Sequence, residues 1–302
     1  MEERIMQRIM EKTTFRSLGL VFAVVLVAGQ VAAMSATPVQ AETFKEHFDH
    51  TYPLVAGGTF TLKDVNGPVS VTAWDRNEVH VVAEKEVRAG NAEEGRRRLA
   101  ELKIDASSKP GDLRIDTRFP HQNGGGFFDW LSGNGGNSGS VAYRIEVPRN
   151  VKVDVETVNG ALSVRGTAGD LKAETTNGAV DVAGVQGKIR LGSTNGAISA
   201  EDAAGSVVAE TTNGSIEVDL KRVDRGGDMS FETTNGHITL KVPKDIQASI
   251  SASTTNGHVS TDLPVQLHGK ASKHHLDGDV NGGGGKLHLE STNGGIEINA
   301  QR

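Results

Sequence analysis

The 302-residue chain contains no cysteine. That excludes a disulfide framework, a thiolate-ligated zinc or iron–sulfur site, and a lipid anchor on a cysteine. Aromatic residues are scarce, with nine Phe, two Tyr and two Trp, so any core must be aliphatic. Between residues 150 and 302 the one aromatic is Phe231, which argues against a ring-lined sugar groove on that half. Positive charge is not in excess: 32 Lys and Arg stand against 38 Asp and Glu, a formal net charge of -6. Nucleic acid is therefore not an expected partner, because phosphate binding needs a basic surface. No apolar run reaches the roughly 20 residues that span a bilayer. Glycine is plentiful at 37 residues, yet it does not recur at every third position, which excludes collagen.

The N-terminus reads as a targeting segment. Arg4, Arg8, Lys12 and Arg16 form a basic region, and an apolar stretch runs from Leu18 to Ala33, interrupted by Gly29 and Gln30. Val39 and Ala41 then place small residues at the -3 and -1 positions before Glu42. This pattern predicts a signal peptide over 1–41, cleaved before Glu42. Met10 offers a second start for the same leader. The expected location is outside the inner membrane, in the periplasm or at the cell surface or secreted.

From Asn159 onward the chain repeats. Asn-Gly recurs at Asn159, Asn177, Asn195, Asn213, Asn235, Asn256 and Asn293, with spacings of 18, 18, 18, 22, 21 and 37. The last spacing reads as about two units. Aligned on the Asn, the column four residues before it holds Val155, Ala173, Leu191, Ala209, Phe231, Ala252 and Leu289. Two before it are Thr157, Thr175, Ser193, Thr211, Thr233, Thr254 and Ser291. Three after it are Leu162, Val180, Ile198, Ile216, Ile238, Val259 and Ile296. Polar residues interleave on both sides, so each unit comprises two short strands with one buried face each.

Two architectures accommodate this pattern. In a parallel solenoid each unit is one coil, and like residues stack about 4.8 Å apart. In an antiparallel meander each Asn-Gly is a type I′ hairpin turn. The near-constant period and column-by-column identity favour the first, and stacked amides would form a hydrogen-bonded ladder. The expected fold is all-β, a right-handed single-stranded parallel β-helix or solenoid of about 18–22 residues per coil. The meander of Asn-Gly hairpins remains the alternative.

Residues 42–150 form a looser N-terminal β-rich part, and 151–302 hold the regular repeats. The passage FTLKDVNGPVSV carries a first unit around Asn66, with Phe60, Leu62, Val69 and Val71 in the buried columns. One helix is expected over 91–102, capped by Asn91 with Glu94 reaching back. Its expected role is to cover one end of the solenoid. The stretch 122–140 is too Gly-rich to order by itself, and a strand edge is expected to lie open at the C-terminus.

With these passages assembled, the sequence resembles the bacterial putative-adhesin family, which is close to the head domains of auto-transporter adhesins. The resemblance rests on the exported N-terminus, VNGPVSVTAWDRNEV, LAELKID, YRIEVPRNVKVDVETVNG, the TTNG repeats and GGGGKLHLESTNGGIEI. It implies a right-handed β-helical cell-envelope domain of unknown function and without established catalysis. Some similar domains are associated with envelope-stress sensing.

The expected role is therefore non-enzymatic, an adhesin-like binding or scaffolding part in the envelope, with no cofactor. The expected partner is an envelope protein or surface component. Self-association through the open C-terminal edge is a further expectation. An enzyme is the alternative: Glu156 with Glu174, and Glu210 with Glu232, should stack on adjacent coils, and crowding would raise one pKa of each pair. His237 and His258 share an outward column on successive units and are weak metal candidates. Phe127, Phe128, Trp130 and Leu131 form an apolar cluster suited to docking a partner or to closing an end as a lid.

Overall fold

The structure is a computed structural model that describes residues 41–119, 139–223, 226–269 and 272–301. These belong to a compact unit, Gln40–Arg302. Among the described residues the chain forms one helix and a continuous 22-stranded sheet.

Two parallel ladders make up most of that sheet. The first runs through β2 (Thr59–Lys63), β8 (Lys152–Asn159), β10 (Leu171–Asn177), β12 (Gln186–Asn195), the second half of β13 (Ile198–Asn213), β15 (Met229–Asn235), β21 (Gly285–Asn293) and β17 (Ala248–Asn256). The second runs through β3 (Val69–Trp74), β9 (Leu162–Arg165), β11 (Val180–Ala183), the first half of β13, β14 (Ile216–Val223), β16 (Ile238–Val242), β22 (Ile296–Ala300) and β18 (Val259–Thr261). Each Asn-Gly lies where the chain leaves the first ladder for the second. Neighbouring rungs are parallel and in register, Asn opposite Asn. The fold is a parallel β-solenoid, and the hairpin meander is excluded.

The reason is visible at the glycines. A type I′ turn would need positive φ at the Gly, and none of the repeat glycines after Asn159 to Asn293 has it. They are required instead for close approach. A Cβ on Gly160, Gly178, Gly196, Gly214, Gly236, Gly257 or Gly294 would stand within 1.8–2.1 Å of the carbonyl oxygen of the matching Gly on the next rung. Inside the coils the predicted apolar columns are buried, from Val155 through Leu289 and from Leu162 through Ile296, with Val259 only half-buried.

Both ends of the ladders are closed by antiparallel strands. At one end β1 (Glu42–Pro53) pairs with β4 (Glu78–Ala89), and β4 with β7 (Gly139–Pro148), which joins β3 in parallel. Beside them β5 (Lys103–Lys109) pairs antiparallel with β6 (Asp112–Arg118), which joins β2. The helix α1 (Ala92–Glu101) packs on β1 through Gly95, where a Cβ would meet the Phe44 ring at 2.3 Å. Asn91 caps it, accepting from the Glu94 amide at 2.9 Å, and Glu94 Oε2 accepts from the Gly90 amide. At the other end β20 (His275–Val280) pairs antiparallel with β17 and with β19 (Val265–Leu267).

The C-terminus departs from expectation. β21 lies between β15 and β17, and β22 lies between β16 and β18. The last 37-residue spacing is thus one coil plus an excursion through β19 and β20, not two coils in sequence. The chain's final strands are interior rungs with both edges paired, so the open C-terminal edge and self-association through it are not supported by this arrangement. Between two rungs each, Leu287, Leu289, Ile296 and Ile298 are fully enclosed there.

Candidate functional site

The expected Asn ladder is present, in spatial rather than sequence order. Nδ2 donates to the preceding Oδ1 from Asn177 to Asn159 (2.8 Å), Asn195 to Asn177, Asn213 to Asn195 and Asn235 to Asn213 (each 2.9 Å), Asn293 to Asn235 (2.8 Å) and Asn256 to Asn293 (2.9 Å). A second ladder supports it from within. The buried hydroxyls of Thr175, Ser193, Thr211, Thr233, Ser291 and Thr254 each donate to a repeat-Gly carbonyl on the neighbouring rung at 2.8–3.0 Å.

Outside these ladders lies a groove of about 770 Å³ that crosses the rungs from β2 to β21. Three columns line it: the residue three before the Asn, which is Glu on every rung from β8 to β21 except β12, where it is Gly192; the buried hydroxyl two before; and an outward residue one before, which is Thr on each of these rungs except Val158 of β8. Its two halves differ. At the head Lys63 and Lys172 interleave with the carboxylates: Lys63 reaches Glu156 at 2.6 Å, and Lys172 reaches Glu156 at 2.6 Å and Glu174 at 3.1 Å. Lys172 and then Lys63 hold the Glu156 carboxyl below its usual range. Partial burial opposes ionisation of Lys172, but Glu156 and Glu174 more than offset it and raise the ammonium's pKa. The upward shift expected for one member of a crowded carboxylate pair is therefore not found at Glu156, because a cation stands between the two acids. Towards the tail, Glu210, Glu232 and Glu290 occupy consecutive rungs, with Arg190 4.0 Å from Glu210 and His288 3.5 Å from Glu290.

His237 and His258 are not brought together. The rung of Gly294 and Gly295 lies between theirs, about 10 Å apart overall, and His237 Nδ1 accepts from the Gly295 amide at 3.0 Å. His258 instead faces His274, ring centroids 6.2 Å apart. No group of three His, Cys, Asp or Glu that could hold a metal ion occurs among the described residues. Phe127, Phe128, Trp130 and Leu131 lie outside the described residues.

The residue that sequence reasoning missed is Asp64. It stands two before Asn66, where other units carry Thr or Ser, so the alignment contained the signal. Asp64, immediately after β2, and Thr157, in the neighbouring strand β8, are both buried. Tyr143 donates to or accepts from Thr117 at 2.8 Å beside them. Burial pushes the Asp64 carboxyl up to about 6, against weaker opposing bonds from Thr117 and the Val65 and Asn66 amides. Those bonds fall outside strict hydrogen-bond geometry, and neither Asp64 oxygen nor the Thr157 hydroxyl has a well-aligned partner. This carboxyl is under-solvated.

A parallel β-solenoid with antiparallel caps, a buried hydroxyl ladder, an exposed Asn ladder and a repetitive outer groove defines a repeat protein. Over residues 136–299 it matches the family described as Toastrack DUF4097, and the chain belongs to that family. Among curated proteins, none matches. Solved structures similar to it include a putative cell adhesion protein from Clostridium sporogenes, 11% identical, covering 85% of this chain and 100% of that one, with a TM-score of 0.29. A putative adhesin from Bacteroides fragilis is 12% identical, covering 84% and 97%, at 0.34. A putative lipid binding protein from Parabacteroides distasonis is 9% identical, covering 85% and 97%, at 0.30. Likeness at that level carries no weight for function. No helix among the described residues is long and apolar enough to cross a membrane.

Proposed function

We propose that this chain is a non-enzymatic, exported cell-envelope protein that binds or scaffolds through its groove. The supporting observation is the groove's repetition: Thr or Ser recurs on each rung from β8 to β21, and Glu on all of these but the Gly192 rung. A catalytic centre needs dissimilar groups converging on one reacting atom, whereas equivalent groups at a fixed rise suit an extended ligand engaged at several points. The acidic tail at Glu210, Glu232 and Glu290 favours a ligand bearing amines or donor hydroxyls. For export, the supporting observation is that β1 opens at Glu42, the residue that follows the predicted cleavage point.

The test is retention of isolated envelope fractions on the immobilised protein, with the triple variant Glu210→Gln, Glu232→Gln, Glu290→Gln as comparison. The wild type should retain a component that the variant releases, more readily as salt rises. Equal retention by both proteins, or none by either, sinks the reading. The enzyme alternative is separated by incubation with a polysaccharide panel: activity lost in Glu174→Gln or Glu210→Gln would replace binding with catalysis. Fractionation of the native cells tests the compartment.

A further inference from the structure

A neutral imidazole offers one donor and one acceptor, while a carboxylate only accepts. A ring with a carboxylate oxygen at each nitrogen therefore satisfies both contacts only as imidazolium. Two histidines are placed in this way, one in each antiparallel cap. His80, in β4, has Nε2 2.8 Å from Asp49 of β1 and Nδ1 3.2 Å from Glu146 of β7. His268, just after β19, has Nε2 2.9 Å from Asp279 and Nδ1 3.1 Å from Asp277, both on β20. Ser249 of β17 donates to the other oxygen of Asp279 at 2.7 Å, which links that cap to the last rung. The strands so joined lie at the sheet's margins: among the described residues β1 pairs only with β4 and β19 only with β20.

We propose that imidazolium clamps at His80 and His268 fasten the two end caps, so that losing these protons loosens β1 at one end and β19–β20 at the other. The surroundings are consistent with charge on both rings. Around His80, β1 contributes Asp49 and His47, which is 4.0 Å from Asp49; β7 contributes Glu146; and β3 contributes Trp74, stacked on His80 and covered by Arg76. Around His268 stand Asp277 and Asp279, with Lys286 of β21 opposite Ser249 in register. Asp49 and then Glu146 raise the pKa of His80, and Asp279 and then Asp277 raise that of His268. A raised histidine pKa stabilises the folded form fully below the ordinary value of 6.5, and the contribution disappears as pH climbs through the folded-state value.

Hydrogen exchange followed by mass spectrometry, with histidine-ring NMR titration, tests this on the purified chain. Both rings should titrate above 6.5. After correction for intrinsic chemistry, exchange over residues 42–53 should rise about two- to fivefold between mildly acidic and mildly alkaline pH, as expected for partly exposed ion pairs. His80→Gln should show the fast value throughout, His268→Gln should do the same only over 265–280, and Asp64→Asn should leave both responses intact. Rings titrating at or below 6.5, cap exchange independent of pH, or a wild-type response in His80→Gln would each overturn the clamps.

Discussion

At the scale of single residues, the repeat's Asn and Gly do different work and should fail differently. Asn213 takes part in two ladder bonds, to Asn195 and from Asn235, but its amide is exposed. Asn213→Ala should cost about 1–2 kcal/mol, at the usual net value of a hydrogen bond. Gly214→Ala places a Cβ 2.1 Å from the Gly196 carbonyl oxygen, and two rungs must separate to admit it. Its cost should exceed about 3 kcal/mol. Urea denaturation of both variants checks the order, and a milder effect at Gly214 would contradict the close-approach explanation. Asp64 yields a pH dependence of definite sign. Its folded-state value of about 6 lies above the ordinary 3.8, so the folded chain is fully penalised above pH 6 and relieved as pH falls towards 3.8. The difference corresponds to about 3 kcal/mol at neutral pH. Asp64→Asn should raise the melting temperature at neutral pH and flatten its dependence on pH.

At the scale of elements, the decisive feature is the insertion of β21 and β22 between rungs made earlier in the chain. β17 and β18 obtain their parallel neighbours only from these last strands. Removing residues 285–302 takes away Leu287, Leu289, Ile296 and Ile298, all fully buried. Each contributes roughly 1.5–3 kcal/mol, so the total approaches a typical stability margin of about 5–15 kcal/mol. The shortened chain should lose protease resistance over 248–261 first, and unchanged protection there would show that rung to be self-sufficient. The helix behaves conventionally: its cap, its acidic first turn with Glu93 and Glu94, and Arg98 in its last turn agree with the macrodipole.

At the scale of the whole molecule, stability in a solenoid passes from rung to rung. Caps at both ends and the inserted rung should couple the coils into one cooperative transition. Phe231 is fully buried in β15, against the inserted strand, and Phe231→Ala should cost about 3–5 kcal/mol. Both tryptophans, Trp74 and Trp130, precede the regular repeats, so their fluorescence reports the N-terminal part. Its midpoint should fall together with that of far-UV circular dichroism in Phe231→Ala. Separate midpoints would mean that the two parts melt independently.

The sequence by itself determined the rung. Period-two alternation around each Asn specified two strands with one buried face, and the identity of columns favoured parallel stacking over the hairpin meander; the structure decides it by placing Asn177 on Asn159 and Thr175 beneath the Gly160 carbonyl. It also specified α1 through Asn91 and Glu94, since capping is a matter of neighbours. Tertiary structure alone decided the order of the last rungs, for two Asn-Gly units with equal columns fit either place, and burial of both edges of β21 and β22 makes the choice. That choice separated His237 from His258. Contacts between residues remote in the chain, such as Lys63 with Glu156 and His80 with Asp49 and Glu146, likewise have no local signature: they arise where strands from different stretches of chain come to lie side by side.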